Sequence, residues 1–388
     1  MKKVVVKGSS AEKLAAFFPW VYDNEILECP ESRGDIVEVF SKSGAFFGTG
    51  YLNTHSAISV RILSFGKEKI DRDFFVRRIT TAFEARRDIL GRTNACRVVH
   101  SEADGLPGLI ADIYNGFLVV QVNTAGMENF RGTILDVFSQ VLVIKGIYEK
   151  SDARSREKEG LQTRENVLMG EVPERVIIEE NGIKFLVELK GSQKTGFYLD
   201  QRRNRYITSS RIAAGMRVLD VFSHTGAFGI YAALKGANVK LVDVSRAALD
   251  LARENAGLNG LGRIEAIKAD AFDFLDDCVK DGARADAVVL DPPPFSRTHG
   301  SRQGAIRGMK HLALQGLRIL GDGGLLAIFS CSHNISMDDL LRLTIEAARD
   351  TRSRLEVTDF LFQDVDHPYL INIPQSLYLK GLLLKKHD

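Results

Sequence analysis

Four carboxylates, two glycines and one thiol carry the chemistry this sequence offers. Asp220 closes an apolar run, and Val221-Phe222-Ser223-His224-Thr225-Gly226-Ala227-Phe228-Gly229 follows it. A buried strand ending in an acid, then a turn whose glycines let backbone approach a ligand, then a helix with free N–H groups, is how an open α/β sheet builds a nucleotide pocket. Asp243 ends a second run, Asn238 to Asp243, where an acid can accept hydrogen bonds from both ribose hydroxyls. Asp270 ends a third run, Ile264 to Asp270, in a position to accept from the exocyclic amine of adenine. Asp291 ends a fourth and empties into Pro292-Pro293-Pro294-Phe295, a turn that proline's fixed φ makes rigid. Cys331 follows the apolar run Gly324 to Ser330. A thiol there is either a nucleophile or, as is commonest for an isolated cysteine, buried and inert. The turn lacks the Gly-x-Gly-x-x-Gly spelling, which disfavours a dinucleotide.

The elements that must hold these groups alternate as in a parallel α/β sheet. Helices are expected over 247–259 and 271–279, and closing strands over 355–362 and 376–384. Before the first strand, Lys194 to Arg205 mixes glycine, aromatic, acid and several arginines. It reads either as an ordinary helix start or as part of the pocket, with Phe197 or Tyr198 covering the ligand. Upstream, Asp71 to Leu90 reads as a helix: Phe74, Phe75, Ile79 and Phe83 share one face, and Arg77, Arg78, Arg86 and Arg87 lie elsewhere, a solvated basic face for the helix by itself and a candidate phosphate track beside a nucleic-acid enzyme. Asn115-Gly116 and Asn181-Gly182 each mark a hairpin. Charge-rich Ser151 to Arg164 reads as a mobile loop. Residues 1 to about 70 alternate short strands with glycine turns, as in a small barrel, and Trp20 with Phe17 and Phe18 reads first as core.

Composition narrows the class. A chain of 388 residues accommodates two or three domains, and a net charge of +2 gives no global nucleic-acid signal, so a polyanion site would be a local patch. Four scattered cysteines argue against a disulfide framework or a zinc site and fit a reducing compartment. No apolar run approaches a membrane span, and no signal peptide is apparent, so a cytoplasmic protein with no metal is expected.

Taken together, Asp220 with Gly226, Asp243, Asp270 and Asp-Pro-Pro-Pro-Phe resemble a class I S-adenosylmethionine-dependent methyltransferase. Over nearly the whole length, Glu102-Ala103-Asp104-Gly105-Leu106-Pro107-Gly108-Leu109, Lys194 to Arg202 and Ser330-Cys331-Ser332 resemble the large-subunit (23S) ribosomal RNA cytosine-5 methyltransferases of the bacterial RlmI type. The Gly34-Asp35 β domain is similar to a PUA module, an RNA-binding fold.

The resemblance implies an α/β chain of three parts: a PUA β-barrel at 1–70, a helix and central α+β domain at 71–190, and a Rossmann-like seven-stranded methyltransferase domain at 191–388. It implies S-adenosyl-L-methionine as methyl donor, ribosomal RNA as partner, and a homodimer. Cofactor contacts are expected from Phe197, Asp200, Gln201, Asp220, Phe222, Ser223, His224, Thr225, Gly226, Ala227, Asp243, Val244, Ser245, Asp270, Ala271, Asp291 and Pro292. Pro293, Phe295 and Arg202 are expected to touch RNA.

Carbon methylation of cytosine needs a thiolate to add to C6 so that C5 can attack the methyl group, which the resemblance assigns to Cys331, with Asp291 at N3. The chain departs from better-known RNA cytosine-5 enzymes in having Pro294-Phe295-Ser296 where they carry a second cysteine. Water, Asp291 or His333 is then the candidate base for the C5 proton. The alternatives are methylation of a base nitrogen such as guanine's, with Cys331 idle, and a catalytically silent RNA-binding protein.

Overall fold

A computed structural model describes residues 2–190, 196–262, 264–294 and 302–387. Lys194, Thr195, Phe295 and Ser296, which figure in the expectations above, lie outside the described residues. The chain forms two compact units. The first comprises 1–182, 187–199 and 365–376, and the second 183–186, 200–364 and 377–388.

The first unit opens with a six-stranded sheet. Lys2–Val6 pairs parallel with Arg33–Ser41, and Arg33–Ser41, Phe46–Asn53 and Ile58–Ser64 form an antiparallel meander. Alternate residues of these strands (Val4, Val6, Val37, Val39, Val60 and Ile62 among them) make its core. A five-stranded sheet follows, built around the hairpin Leu109–Tyr114 and Phe117–Val122. Asn115 and Gly116 sit at φ 49° and 88°, the left-handed pair such a two-residue turn requires. Asp71 caps the helix Arg72–Glu84, accepting from the N–H groups of Asp73 and Phe74.

Two readings of basic segments are corrected in this unit. The expected mobile loop contains the helix Ala153–Lys158, with Arg156 only 1% exposed and bonded to the carbonyls of Val122 and Gln162 and to Glu128. Arg86 is also buried, forked onto Asp104 at 2.8 and 2.7 Å and bonded to the carbonyls of Ala82, Arg97 and Asp366. Arg78 reaches the carbonyl of Leu63. Arg86 and Arg78 thus serve backbone carbonyls rather than a phosphate track, while Arg77 and Arg87 are exposed. Segment 365–376 also falls in this unit, where Asp366 accepts from the Arg97 N–H and Asn372 donates to the Ala16 carbonyl. His367 is buried and paired with Asp366, a structural residue.

The second unit is a seven-stranded sheet. Its strands are β1 (Arg217–Val221), β2 (Asn238–Asp243), β3 (Glu265–Lys268), β4 (Ala285–Leu290), β5 (Leu320–Ser330), β6 (Arg354–Phe362) and β7 (Lys380–His387). The order is β3-β2-β1-β4-β5-β7-β6, parallel except for β7, which runs antiparallel to both neighbours. The helices are α1 (Arg202–Ser209), α2 (Ala227–Ala233), α3 (Arg246–Leu258), α4 (Ala271–Lys280), α5 (Arg302–Ile319) and α6 (Met337–Thr351). Separate apolar clusters accompany the sheet. One joins β4 and β5 to α5 and α6, another joins β1 and β2 to α3, and a third joins α2 to β4, β5, β6 and β7. Burial among these clusters explains why β4 reads as a continuous apolar run rather than an alternating one. The strand order reverses between β1 and β4, the switch point where such sheets bind ligands.

Candidate active site

The parallel register sets the site. Val221 pairs with Val242 on β2 and with Leu290 on β4, and Leu290 pairs with Ile328 on β5. The carboxyl ends of β3, β2, β1, β4 and β5 therefore present Asp270, Asp243, Asp220, Asp291 and Cys331 along one edge.

The turn after β1 is held in a tight, partly strained form. Phe222 and His224 take φ of 62° and 47°, and Gly226 takes 77° as the N-cap of α2. Two non-glycine residues in the left-handed region within one turn are costly and persist only when surroundings fix them. The fixing groups are carboxylates. Asp243 accepts from the His224 N–H at 2.9 Å and the Ser245 N–H at 2.8 Å. Asp220 accepts from the Gly229 N–H at 2.8 Å, satisfying an orphan donor in the first turn of α2. The Thr225 carbonyl accepts from Asn255, and Ala227 is buried. Gly229 has no room for a side chain: a Cβ there would meet Leu241 Cδ2 at 2.3 Å and Val239 Cγ1 at 2.9 Å. Asp220 is 1% exposed, and burial pushes its pKa up to about 7. The Gly229 N–H and Arg205 oppose that rise, and the charges of Asp291 and Asp243 add to it.

Further along the edge, Asp270 is exposed and caps α4, accepting from the N–H groups of Phe272 and Asp273, while Ala271 enters the core. Val244 is exposed, and Ser245 caps α3. Pro292 is buried and Pro293 exposed. Asp291 accepts from Gln201 Nε2 at 3.0 Å, and Gln201 Oε1 in turn accepts from Asn204 at 2.6 Å. This relay was missed from the sequence, although Gln201 and Asn204 stand three apart, one helical turn. The Cys331 Sγ lies 4.0 Å from the Pro292 carbonyl oxygen and is partly buried, so the thiol faces the proline corner.

Three of the expected contact residues have partners within the chain. Arg202, expected to touch RNA, is buried and ion-paired with Asp364 at 2.8 Å, because a buried guanidinium needs a carboxylate. Asp200 is buried and accepts from the Tyr378 hydroxyl at 2.7 Å. Phe197 belongs to the first unit, is buried, and donates its N–H to the Tyr114 hydroxyl.

The remaining edge fits a nucleoside with a charged amino-acid arm. Asp243 and Asp270 keep lone pairs for hydroxyl or amine donors, since a carboxylate offers about four acceptor sites. The buried Ser223 hydroxyl has no partner among the described residues, and neither does the Asn204 side-chain carbonyl. The Gly226–Gly229 turn leaves backbone open to close approach.

Comparison with known proteins agrees. The profile of a PUA-like domain matches residues 4–65, and that of an S-adenosylmethionine-dependent methyltransferase matches residues 150–382. A protein of Aeromonas salmonicida named ribosomal RNA large subunit methyltransferase I is 40% identical, over 98% of this chain and 98% of that one. A solved structure of a SAM-dependent methyltransferase from Streptococcus mutans superposes with a TM-score of 0.86 at 25% identity, covering 99% of this chain and 100% of that one. A methyltransferase crystallised as a complex with SAH gives 0.88 at 25% identity, with the same coverage. The chain thus belongs with the ribosomal RNA large subunit methyltransferase I proteins inside the S-adenosylmethionine-dependent methyltransferase family, and S-adenosylmethionine is its methyl donor.

Proposed function

We propose that the protein methylates C5 of a cytosine in large-subunit (23S) ribosomal RNA through a covalent bond between Cys331 and C6. The substrate class rests on the name borne by the relatives and on the PUA-like domain. The observation that carries the carbon chemistry is the approach of the Cys331 Sγ to the Pro292 carbonyl at 4.0 Å, beside Asp291.

When bound, S-adenosylmethionine supplies an electrophilic methyl group on a sulfonium. The turn 222–227, with Asp243, Ser245 and Asp270, would hold it. The Cys331 thiolate attacks C6: the S–C6 bond forms, the C5–C6 π pair shifts to C4–C5, and the C4–N3 pair moves onto N3. Asp291, oriented by Gln201, hydrogen-bonds N3 or hands it a proton as that charge arrives. C5 would then take the methyl group with the C4–C5 π pair, the broken bond's pair staying with the donor sulfur, while the N3 pair re-forms the C4–N3 double bond and a proton handed to N3 returns to Asp291. Loss of the C5 proton to a base restores the C5–C6 double bond and expels the thiolate. His333 suits that step. Partial burial and the Lys380 charge hold its pKa below the ordinary imidazole value, so the ring is neutral near pH 7.

We further propose that residues 1–70 bind RNA, that 71–190 form a central domain, that 191–388 carry catalysis, and that the protein works as a cytoplasmic homodimer. Among the described residues no helix is long and apolar enough to cross a membrane.

The test is Cys331→Ala with tritiated S-adenosylmethionine, beside a 5-fluorocytidine RNA. Wild type should form a denaturation-resistant protein–RNA adduct, and the variant should lose both adduct and transfer, by roughly a thousandfold or more. Methylation retained by the variant would leave only nitrogen methylation.

A further inference from the structure

The closing strand carries a cation that the chemistry above uses only for its effect on His333. Lys380 opens β7, in register with Ser330 on β5, one residue before Cys331. It is only 5% exposed. Its ammonium donates to the Ser332 carbonyl at 2.9 Å and forms no ion pair with a carboxylate among the described residues. A buried, unpaired ammonium is expensive unless some charge on the reaction path repays it.

Among the described residues, Cys331 and Asp339 carry the negative charge that acts on it. Burial pulls the Lys380 pKa below the usual lysine value, and negative charge on Cys331 and on Asp339 acts the other way. Asp339 is already neutralised: Arg302 forks onto it at 2.6 and 2.8 Å, and the Ser336 N–H and hydroxyl also donate to it. His333 feels Lys380 as a like charge that disfavours its own protonation. Asp291, next to the Pro292 carbonyl that Cys331 faces, is engaged by Gln201. The charge left for Lys380 to match is the thiolate.

We infer that Lys380 is a positioning residue which, pinned to the Ser332 carbonyl, holds a positive charge against Cys331 and keeps that thiol in its nucleophilic, anionic form. The inference rests on the reading of Cys331 as nucleophile, and it deepens that reading. The cation acts through space, from the neighbouring strand.

The test uses the full chain and the variants Lys380→Gln and Lys380→Arg. Alkylation of Cys331 by iodoacetamide is followed against pH by mass spectrometry of its peptide, which separates it from Cys29, Cys96 and Cys278. Lys380→Gln keeps a donor for Ser332 without the charge. It should raise the alkylation midpoint by about one pH unit and slow alkylation roughly tenfold at pH 7. The pH profile of 5-fluorocytidine RNA trapping should move in parallel, with S-adenosylmethionine affinity unchanged. Lys380→Arg should stay near wild type. An unmoved midpoint in Lys380→Gln with cofactor binding intact overturns the assignment. If the glutamine variant does not fold, a midpoint shift of that size in a folded arginine variant overturns it, because charge is retained there. Alkylation needs no turnover, so its outcome is separate from Cys331→Ala: an active alanine variant removes the covalent reading whatever Lys380 does.

Discussion

Replacing Asp220 with Asn should change how the stability of the methyltransferase unit depends on pH. The carboxyl is 1% exposed, and burial raises its pKa from 3.8 to about 7. A carboxyl with a raised folded pKa binds more protons in the folded than in the unfolded chain between those two values. Its contribution to stability is full below the unfolded pKa, falls as pH rises, and is gone above the folded pKa. Between pH 5 and about 7 the group is protonated when folded and ionised when unfolded, roughly two pH units at ~1.4 kcal/mol each. Wild type should therefore lose about 2.5 kcal/mol relative to Asp220→Asn between pH 5 and pH 8. Asparagine keeps an oxygen for the Gly229 N–H, so the helix start is preserved. Urea unfolding of both proteins, followed by circular dichroism at several pH values, measures the difference, and other titrating groups cancel in the comparison. Parallel pH profiles would refute the reasoning, since they would mean Asp220 ionises as an exposed carboxylate does. A difference that grows with opposite sign would refute it equally.

The same ionisation bears on the cofactor, whose sulfonium and ammonium give it a net positive charge. Calorimetric titration should show S-adenosylmethionine binding tighter at pH 8 than at pH 6 in wild type, and the dependence should flatten in Asp220→Asn. Gly229→Ala drives a methyl to 2.3 Å from Leu241 Cδ2, and should cost about 1–3 kcal/mol and weaken cofactor binding, read by denaturation and by calorimetry. In the first unit, Arg86→Met leaves the Asp104 carboxylate without its buried partner. It should destabilise that unit by about 3–5 kcal/mol in thermal or urea unfolding without abolishing S-adenosylmethionine binding.

Much of the fold was legible because it is written locally. Asn115-Gly116 and Asn181-Gly182 announce turns by residue type, and all four residues take the left-handed conformations those turns need. The apolar runs ending in Asp220, Asp243 and Asp291 mark strands whose ends line up, because parallel pairing fixes their register. The arginines were misread for the opposite reason. A guanidinium looks like surface in any local window, yet Arg86 reaches Asp366 across 280 positions and Arg156 reaches Val122 across 34. Nothing near them in the chain shows those partners.

Residue order alone determined the alternation of strand and helix, the acids at strand ends and the glycine turn after Asp220, since periodicity and turn chemistry act over a few residues. Tertiary structure decided what each charge is for. Folding sets Cys331 beside Pro292, 39 positions away, and Gln201 on Asp291, 90 positions away. It also turns Arg202 inward to Asp364 and buries Lys380 next to the thiol's strand end. Those outcomes depend on which strands become neighbours, and burial then makes each unpaired charge find the group that only the packed chain brings near.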